Sequence, residues 1–72
     1  MVLVPIRCRI PDILHANGKT QQWLAEQTGY SKQRISDYVQ MRCIMSLPVA
    51  ALIARILKVH IDDLYVWEWQ QE

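Results

Sequence analysis

The 72-residue sequence lacks the side-chain groupings from which most catalytic and metal sites are built. Its two cysteines, Cys8 and Cys43, lie far apart, and neither His15 nor His60 clusters with them. A structural zinc site needs about four ligands, so we expect no metal and no cofactor. The adjacent carboxylates at 62–63 suit the positive end of a helix better than acid–base chemistry. We therefore expect no enzymatic activity and no small-molecule substrate.

Long apolar runs are also missing. A membrane-spanning helix needs about 20 apolar residues, whereas the run from Leu47 to Ile53 is short and contains a proline. Residues 1–6 lack the basic start and the long apolar block of a signal peptide. We therefore expect no membrane association and a cytoplasmic location. Without repeats, linkers or low-complexity segments, residues 1–72 are predicted to form a single domain.

The net charge is only +1, which is low compared with proteins that bind anionic partners. The charge is unevenly distributed, however. Residues 1–42 carry six basic and three acidic side chains, whereas residues 43–72 carry two basic and four acidic ones. The local sign of a surface matters more than the total charge when that surface meets phosphates. The first half of the chain is therefore the candidate for an anionic partner, with scattered surface charge as the alternative interpretation.

Residues 20–40 predict two short helices joined by a tight corner, with bounds of about 21–28 and 32–40. Thr20 and Ser31 each stand where a side-chain oxygen can cap a helix start. Gly29 stands at the end of the first helix, where a left-handed residue is often required and glycine adopts it at low cost. The predicted buried positions are Leu24, Ala25, Thr28, Ile35 and Val39. The outward positions of the second helix are polar: Lys32, Gln33, Ser36 and Asp37.

Three more helices are predicted around this segment. The first covers about 11–17, because proline is tolerated in the first turn of a helix. The fourth follows Ser46, with an inner face formed by Ala51, Leu52, Ile56 and Val59. The fifth is a short helix at about 61–65.

The two ends of the chain read as short strands. Ile6, Cys8 and Ile10 alternate with arginines, and a helix running through Pro11 would be destabilised by about 3 kcal/mol, so residues 2–10 are predicted to be extended. Tyr65, Trp67 and Trp69 show the same period of two. The two strands are compatible with pairing inside one protomer or between two protomers.

The order and spacing of these residues resemble the helix-turn-helix of the phage-repressor (Cro/CI, XRE-type) family. The resemblance covers about residues 6–65, and its main carriers are Thr20-Gln21, Leu24-Ala25, Gly29, Ser31, Ile35-Ser36 and Ser46-Leu47-Pro48. It implies a mainly all-α, five-helix domain, to which the end strands would be added. The alternative is a small helical bundle without a role at DNA. One departure is visible, because the family often has Asn-Gly after the third helix and residues 40–43 contain no glycine.

The resemblance also implies where DNA binds. An α-helix fits the major groove of B-form DNA and reads base edges from its N-terminal residues. The implied base-reading positions are Lys32, Gln33, Ser36 and Asp37. Asp37 has a competing structural interpretation, an ion pair with Arg34 on the same helix. Contacts to phosphates are expected from Gln21, Lys19, Tyr30, Arg42 and Arg34.

We therefore interpret the sequence as a sequence-specific DNA-binding transcriptional regulator, and specifically a repressor, whose partner is double-stranded DNA. Trp67 and Trp69 lie beside a polar tail, and exposed aromatic patches usually mark an interface. Because the family commonly dimerises, a homodimer is expected, with indoles that cover the core of a monomer as the alternative. The competing class of function is an interaction module, similar to an antirepressor or antitoxin. Such a module would keep the helix-turn-helix as a scaffold and bind a protein partner through the aromatic tail.

Overall fold

The computed structural model describes residues 1–71, which form a mainly helical domain closed by a two-stranded ribbon. In chain order the elements are strand β1 (Val2–Cys8), helices α1 (Ile10–Ala16), α2 (Gln21–Thr28), α3 (Lys32–Val39) and α4 (Leu47–Leu57), a 3-10 turn (Ile61–Leu64) and strand β2 (Tyr65–Gln70). The helical class and the two end strands are confirmed. Helix α1 begins and ends one residue earlier than predicted, and α3 ends one residue earlier.

The predicted fifth helix is wrong, since residues 1–71 contain four α-helices. Residues 61–64 form a single 3-10 turn instead. His60 before the turn is extended, and Tyr65 after it already pairs with Cys8 across the ribbon. Four residues remain between these two points, which suits the short i to i+3 turn better than an α-helix.

The two end strands pair with each other inside one chain. They are antiparallel, and the register places Leu3 opposite Trp69 and Cys8 opposite Tyr65. The register shifts between Pro5 and Arg7, which is expected because proline cannot donate a backbone hydrogen bond and is tolerated at bulges. Of the two arrangements compatible with the alternating pattern, the structure therefore has the pairing inside one protomer.

One hydrophobic core joins the helical elements. Its five largest fully buried side chains each come from a different helical element: Ile10, Leu24, Ile35, Ile53 and Leu64. Ile10 was predicted to be the end of the extended segment, but it is the first residue of α1. The preceding Arg9 donates its backbone N–H to the carbonyl of Leu64 at 2.7 Å. This bond holds the start of α1 against the 3-10 turn.

The predicted inner face of α4 is wrong at two of its four positions, since Ile56 and Val59 are half-buried and pack against the core. The buried residues are Val49, Ala50, Ile53, Ala54 and Leu57, while the predicted inner residues Ala51 and Leu52 are exposed. Nearly every residue of this helix is apolar, so the apolar pattern does not select a face. The charged Arg55 marks the outward side of the helix. Ala51 precedes Arg55 by one turn and therefore lies on that same outward side.

A buried hydrogen bond fixes the connection between α3 and α4. The backbone N–H of Met45 donates to the Tyr65 hydroxyl at 3.1 Å. Burial raises the pKa of the Tyr65 phenol, so the neutral hydroxyl remains the acceptor.

No helix in the described part of the chain has the length and apolar character needed to cross a membrane.

The C-terminus of α4 offers a test of backbone strain. Lys58 ends this helix in the left-handed conformation, at φ 59° and ψ 44°, with an exposed side chain. A residue with a Cβ is destabilised there by about 1 kcal/mol, whereas glycine favours this position. Lys58→Gly should raise the free energy of unfolding by about 0.5 kcal/mol and the Tm by a few degrees in thermal unfolding followed by circular dichroism.

Arg55→Gly is the matched control, because Arg55 is exposed in the interior of the same helix. It should lower the free energy of unfolding by about 1 kcal/mol. Equal losses of stability for the two variants would contradict the strain assigned to residue 58.

Candidate nucleic-acid interface

Side-chain caps define where α2 and α3 begin. The Thr20 hydroxyl oxygen accepts from the backbone N–H of Trp23 at 3.1 Å. The Ser31 hydroxyl oxygen accepts from the backbone N–H of Arg34 at 3.1 Å. Each bond satisfies one of the free donors in a first helical turn. Both predicted caps are therefore confirmed.

The corner between the two helices is held by Thr28 and Gly29. Gly29 has φ 78°, and its N–H donates to the carbonyl of Ala25 at 2.9 Å. The Thr28 hydroxyl donates to the carbonyl of Leu24 at 2.9 Å and accepts from the N–H of Tyr30 at 3.2 Å. These bonds fix the direction in which the chain enters α3.

Helix α3 buries one side and exposes the other. Ile35 and Tyr38 are buried, whereas the predicted Val39 is only half-buried. Tyr38 lies three residues after Ile35, so helical spacing alone was a signal for it. The opposite side carries the predicted base-reading residues, of which Lys32 and Gln33 are exposed and Ser36 and Asp37 are half-buried.

A chain of hydrogen bonds runs along this outward side. Asp37 Oδ1 accepts from Gln33 Nε2 at 3.0 Å and from Arg42 Nη1 at 2.9 Å. Arg42 Nη2 donates to Gln40 Oε1 at 2.6 Å. Gln40 Nε2 then donates to the Ser36 hydroxyl at 3.0 Å. We call these five connected side chains the α3 network.

The ion-pair partner of Asp37 is Arg42 rather than the Arg34 considered from the sequence. Arg34 turns towards two tyrosines instead. Its Nε donates to the Tyr38 hydroxyl at 3.0 Å, and its guanidinium carbon lies 4.6 Å from the centre of the Tyr30 ring. The hydrogen bond to Tyr38 raises the pKa of Arg34 above its usual value, so this side chain remains a cation.

The turn after α3 uses a residue other than glycine. Met41 has φ 63°, and its half-buried side chain packs against the core. Arg42 follows and donates its backbone N–H to the carbonyl of Asp37 at 2.9 Å. Because the turn folds back on α3, the Arg42 side chain reaches the outward side of the helix. Sequence reasoning missed Gln40 in this group, although it lies four residues after Ser36 and two before Arg42.

The remaining predicted phosphate contacts lie around α2. Gln21 is the first residue of α2 and is half-buried. Lys19 precedes the helix, with its ammonium 5.0 Å from the centre of the Trp23 ring. Lys19 and Trp23 line a groove together with the end of α4, at Leu57 and Lys58. Among the predicted phosphate contacts, Arg42 therefore lies against the outward side of α3, whereas Lys19 lies against Trp23 at the start of α2.

The cysteines and acidic residues form no second candidate site in the described residues. Cys8 is buried and Cys43 is exposed, and both are free thiols. Burial raises the pKa of the Cys8 thiol. Within residues 1–71 no three side chains of His, Cys, Asp or Glu lie close enough together to hold a metal ion.

Comparison with known proteins gives consistent matches. Residues 9–70 match the Cro/C1-type HTH DNA-binding domain. Over 68 residues the chain is 34% identical to YotL of Bacillus subtilis (strain 168), an SPbeta prophage-derived uncharacterized HTH-type transcriptional regulator, covering 93% of this chain and 85% of YotL. YopS, a second regulator with the same description from that organism, is 37% identical over 67 residues, covering 90% of each chain.

A solved structure shares the architecture. The crystal structure of a protein from Bacteroides fragilis, described provisionally as DNA-binding, superposes with a TM-score of 0.74. The two sequences are 28% identical, and the match covers 93% of this chain and 100% of that one.

The capping bonds at the helix starts can be tested by their removal. Thr20→Ala and Ser31→Ala should each lower the free energy of unfolding by about 1 kcal/mol, because each leaves a helical N–H without its partner. Urea unfolding measures this change. Ser46→Ala is the matched control, since the Ser46 side chain makes no capping hydrogen bond at the start of α4. A loss at Ser46 as large as the loss at Ser31 would contradict the assignment.

Proposed function

The chain belongs to the Cro/C1-type helix-turn-helix DNA-binding family, and we propose that it is a repressor that reads the DNA major groove with α3. It is a DNA-binding transcriptional regulator, as its curated relatives are named. Repression would follow from occupying an operator and excluding polymerase, in the cytoplasm and without catalysis. One observation carries the proposal: Ile35 and Tyr38 anchor α3 in the core while a polar row faces outward.

The first turn of α3 supplies the proposed base contacts. Lys32 is exposed and can donate to guanine O6 and N7. Gln33 is exposed and can pair with adenine, accepting from N6 and donating to N7. Ser36 and Asp37 follow one turn later on the same side and complete the proposed reading surface.

Phosphate contacts would fix the position of this surface on the duplex. The start of α2 offers free backbone N–H groups together with the Gln21 side chain, an arrangement that suits an anion. Arg42 stands at the other end of the reading surface, with its side chain half-exposed at 52%. Lys19, Tyr30 and Arg34 are the remaining proposed contacts. Such contacts set register and orientation and carry little sequence information.

We further propose that the protein acts as a homodimer through the ribbon. Leu3 pairs with Trp69 and Pro5 with Trp67, so the four side chains share one side of the two strands. Trp67 and Trp69 remain 38% and 62% exposed. An exposed apolar surface of this kind favours a partner, and a second copy would cover it. The half-sites of a dimer would then be about 34 Å apart.

The reading role of α3 is tested by alanine substitution at its first turn. Lys32→Ala and Gln33→Ala should lower affinity for a preferred duplex about tenfold or more, because each removes base contacts. Affinity for a random duplex should fall less. Fluorescence anisotropy against both duplexes, over a salt series, measures the two effects.

Lys58→Ala and Gln27→Ala are matched controls, since both residues are exposed and lie outside α3. They should leave the ratio of preferred to random affinity unchanged. A chain that ignores every duplex at low salt yet binds a protein through its tryptophans would instead support the interaction-module alternative.

The proposed dimer surface is tested by placing a positive charge in it. Trp69→Lys should convert the protein to monomers in sedimentation velocity, because a buried unpaired ammonium is strongly unfavourable at an interface. Leu47→Lys is the matched control, since Leu47 is 71% exposed at the start of α4, away from the ribbon. Dissociation by Leu47→Lys alone would move the interface to α4, and a monomeric parent protein would exclude the dimer.

A further inference from the structure

The α3 network contains a carboxylate where a DNA-binding surface would be expected to avoid one. Asp37 lies on the outward side of α3, and its side chain is 30% exposed. A carboxylate facing DNA is repelled by phosphates unless a cation offsets its charge. Arg42 supplies that cation at 2.9 Å. The ion pair therefore allows Asp37 to remain in the reading surface.

The same carboxylate oxygen also orients Gln33. Asp37 Oδ1 accepts from Gln33 Nε2 at 3.0 Å. An ionised carboxylate only accepts hydrogen bonds, so the amide nitrogen rather than the amide oxygen must face it. One Nε2 hydrogen is used in this way, which leaves the second hydrogen and Oε1 free. Those two groups are the pair that adenine N7 and N6 require.

Arg42 is held by two acceptors at once. Asp37 binds Nη1, and Gln40 Oε1 binds Nη2 at 2.6 Å. Gln40 is in turn held by the Ser36 hydroxyl. A guanidinium carries five N–H donors, so three remain for a phosphate. Asp37 thus connects a base-reading amide with a cation at the edge of the same surface.

We propose that Asp37 is a specificity-determining positioning residue, which orients Gln33 for adenine and Arg42 for a phosphate without reading a base itself. This inference rests on the proposed function. Asp37 Oδ1 already accepts from Gln33 and Arg42, so this role takes the place of the direct contact that a carboxylate can make with a cytosine amino group. Side chains held in their bound geometry lose less freedom on binding, which raises affinity for the matching base.

The test uses a duplex selected from a random pool with the parent protein, together with every single-base variant of that duplex. Anisotropy titrations give the base preference at each position for Gln33→Ala, Asp37→Ala and the double variant. Asp37→Ala should reduce preference about tenfold at the one position that Gln33→Ala relaxes. The double variant should resemble Gln33→Ala alone, because the two residues act on the same base pair.

Asp37→Asn separates orientation from charge. Asparagine retains a carbonyl oxygen for Gln33 Nε2 but loses the ion pair with Arg42. Base preference should therefore survive in Asp37→Asn, while affinity for all duplexes changes uniformly. The side-chain amide resonances of Gln33 in the free protein provide an independent readout, since they should shift in Asp37→Ala. Thermal unfolding confirms that each variant is folded.

Three outcomes would overturn the inference, and they differ in what else they affect. Asp37→Ala could instead abolish a cytosine preference at a second position of the duplex, with an effect that adds to that of Gln33→Ala in the double variant. That result would make Asp37 a base reader. An unchanged preference in Asp37→Ala would remove the positioning role alone. A parent protein with no preferred duplex would overturn the proposed function and this inference with it.

Discussion

A single hydrophobic core shared by all the helical elements holds this domain together, because none of its helices is long enough to persist alone. The four α-helices in residues 1–71 span 7 to 11 residues, whereas isolated helices below about 12 to 15 residues are marginal in water. Each helical element contributes one fully buried side chain: Ile10, Leu24, Ile35, Ile53 and Leu64. The elements therefore stabilise one another, and the position of α3 depends on all of them.

This dependence fixes the position of α3 at the surface. Ile35 and Tyr38 anchor it from below, the Ser31 cap sets its first turn, and the left-handed Gly29 sets its direction. The exposed side is ordered as well, since hydrogen bonds connect Gln33 to Arg42 through Asp37. These bonds hold the side chains of the proposed reading surface in place, and side chains held in this way lose less entropy on binding.

The polar side of α3 and the exposed tryptophans lie on different elements of the molecule. Basic side chains predominate in residues 1–42, which contain the helix-turn-helix, and acidic ones predominate after residue 42. The ribbon that joins the two chain ends carries the exposed tryptophans. The proposed DNA-reading surface on α3 and the proposed dimer surface on the ribbon therefore lie on different elements.

The sequence by itself determined the features that depend on neighbouring residues. The caps at Thr20 and Ser31, the corner at Gly29 and the extended ends follow from local backbone chemistry, and the order of these features was sufficient to indicate the family. The tertiary structure decided which face of α4 is buried, because almost every residue in that helix is apolar. It also decided that the strands pair within one chain and that only a 3-10 turn fits before Tyr65. Asp37 received Arg42 rather than Arg34 as its partner because the turn at Met41 folds the chain back onto α3. Each of these outcomes depends on space and on contacts between elements, which local sequence patterns do not specify.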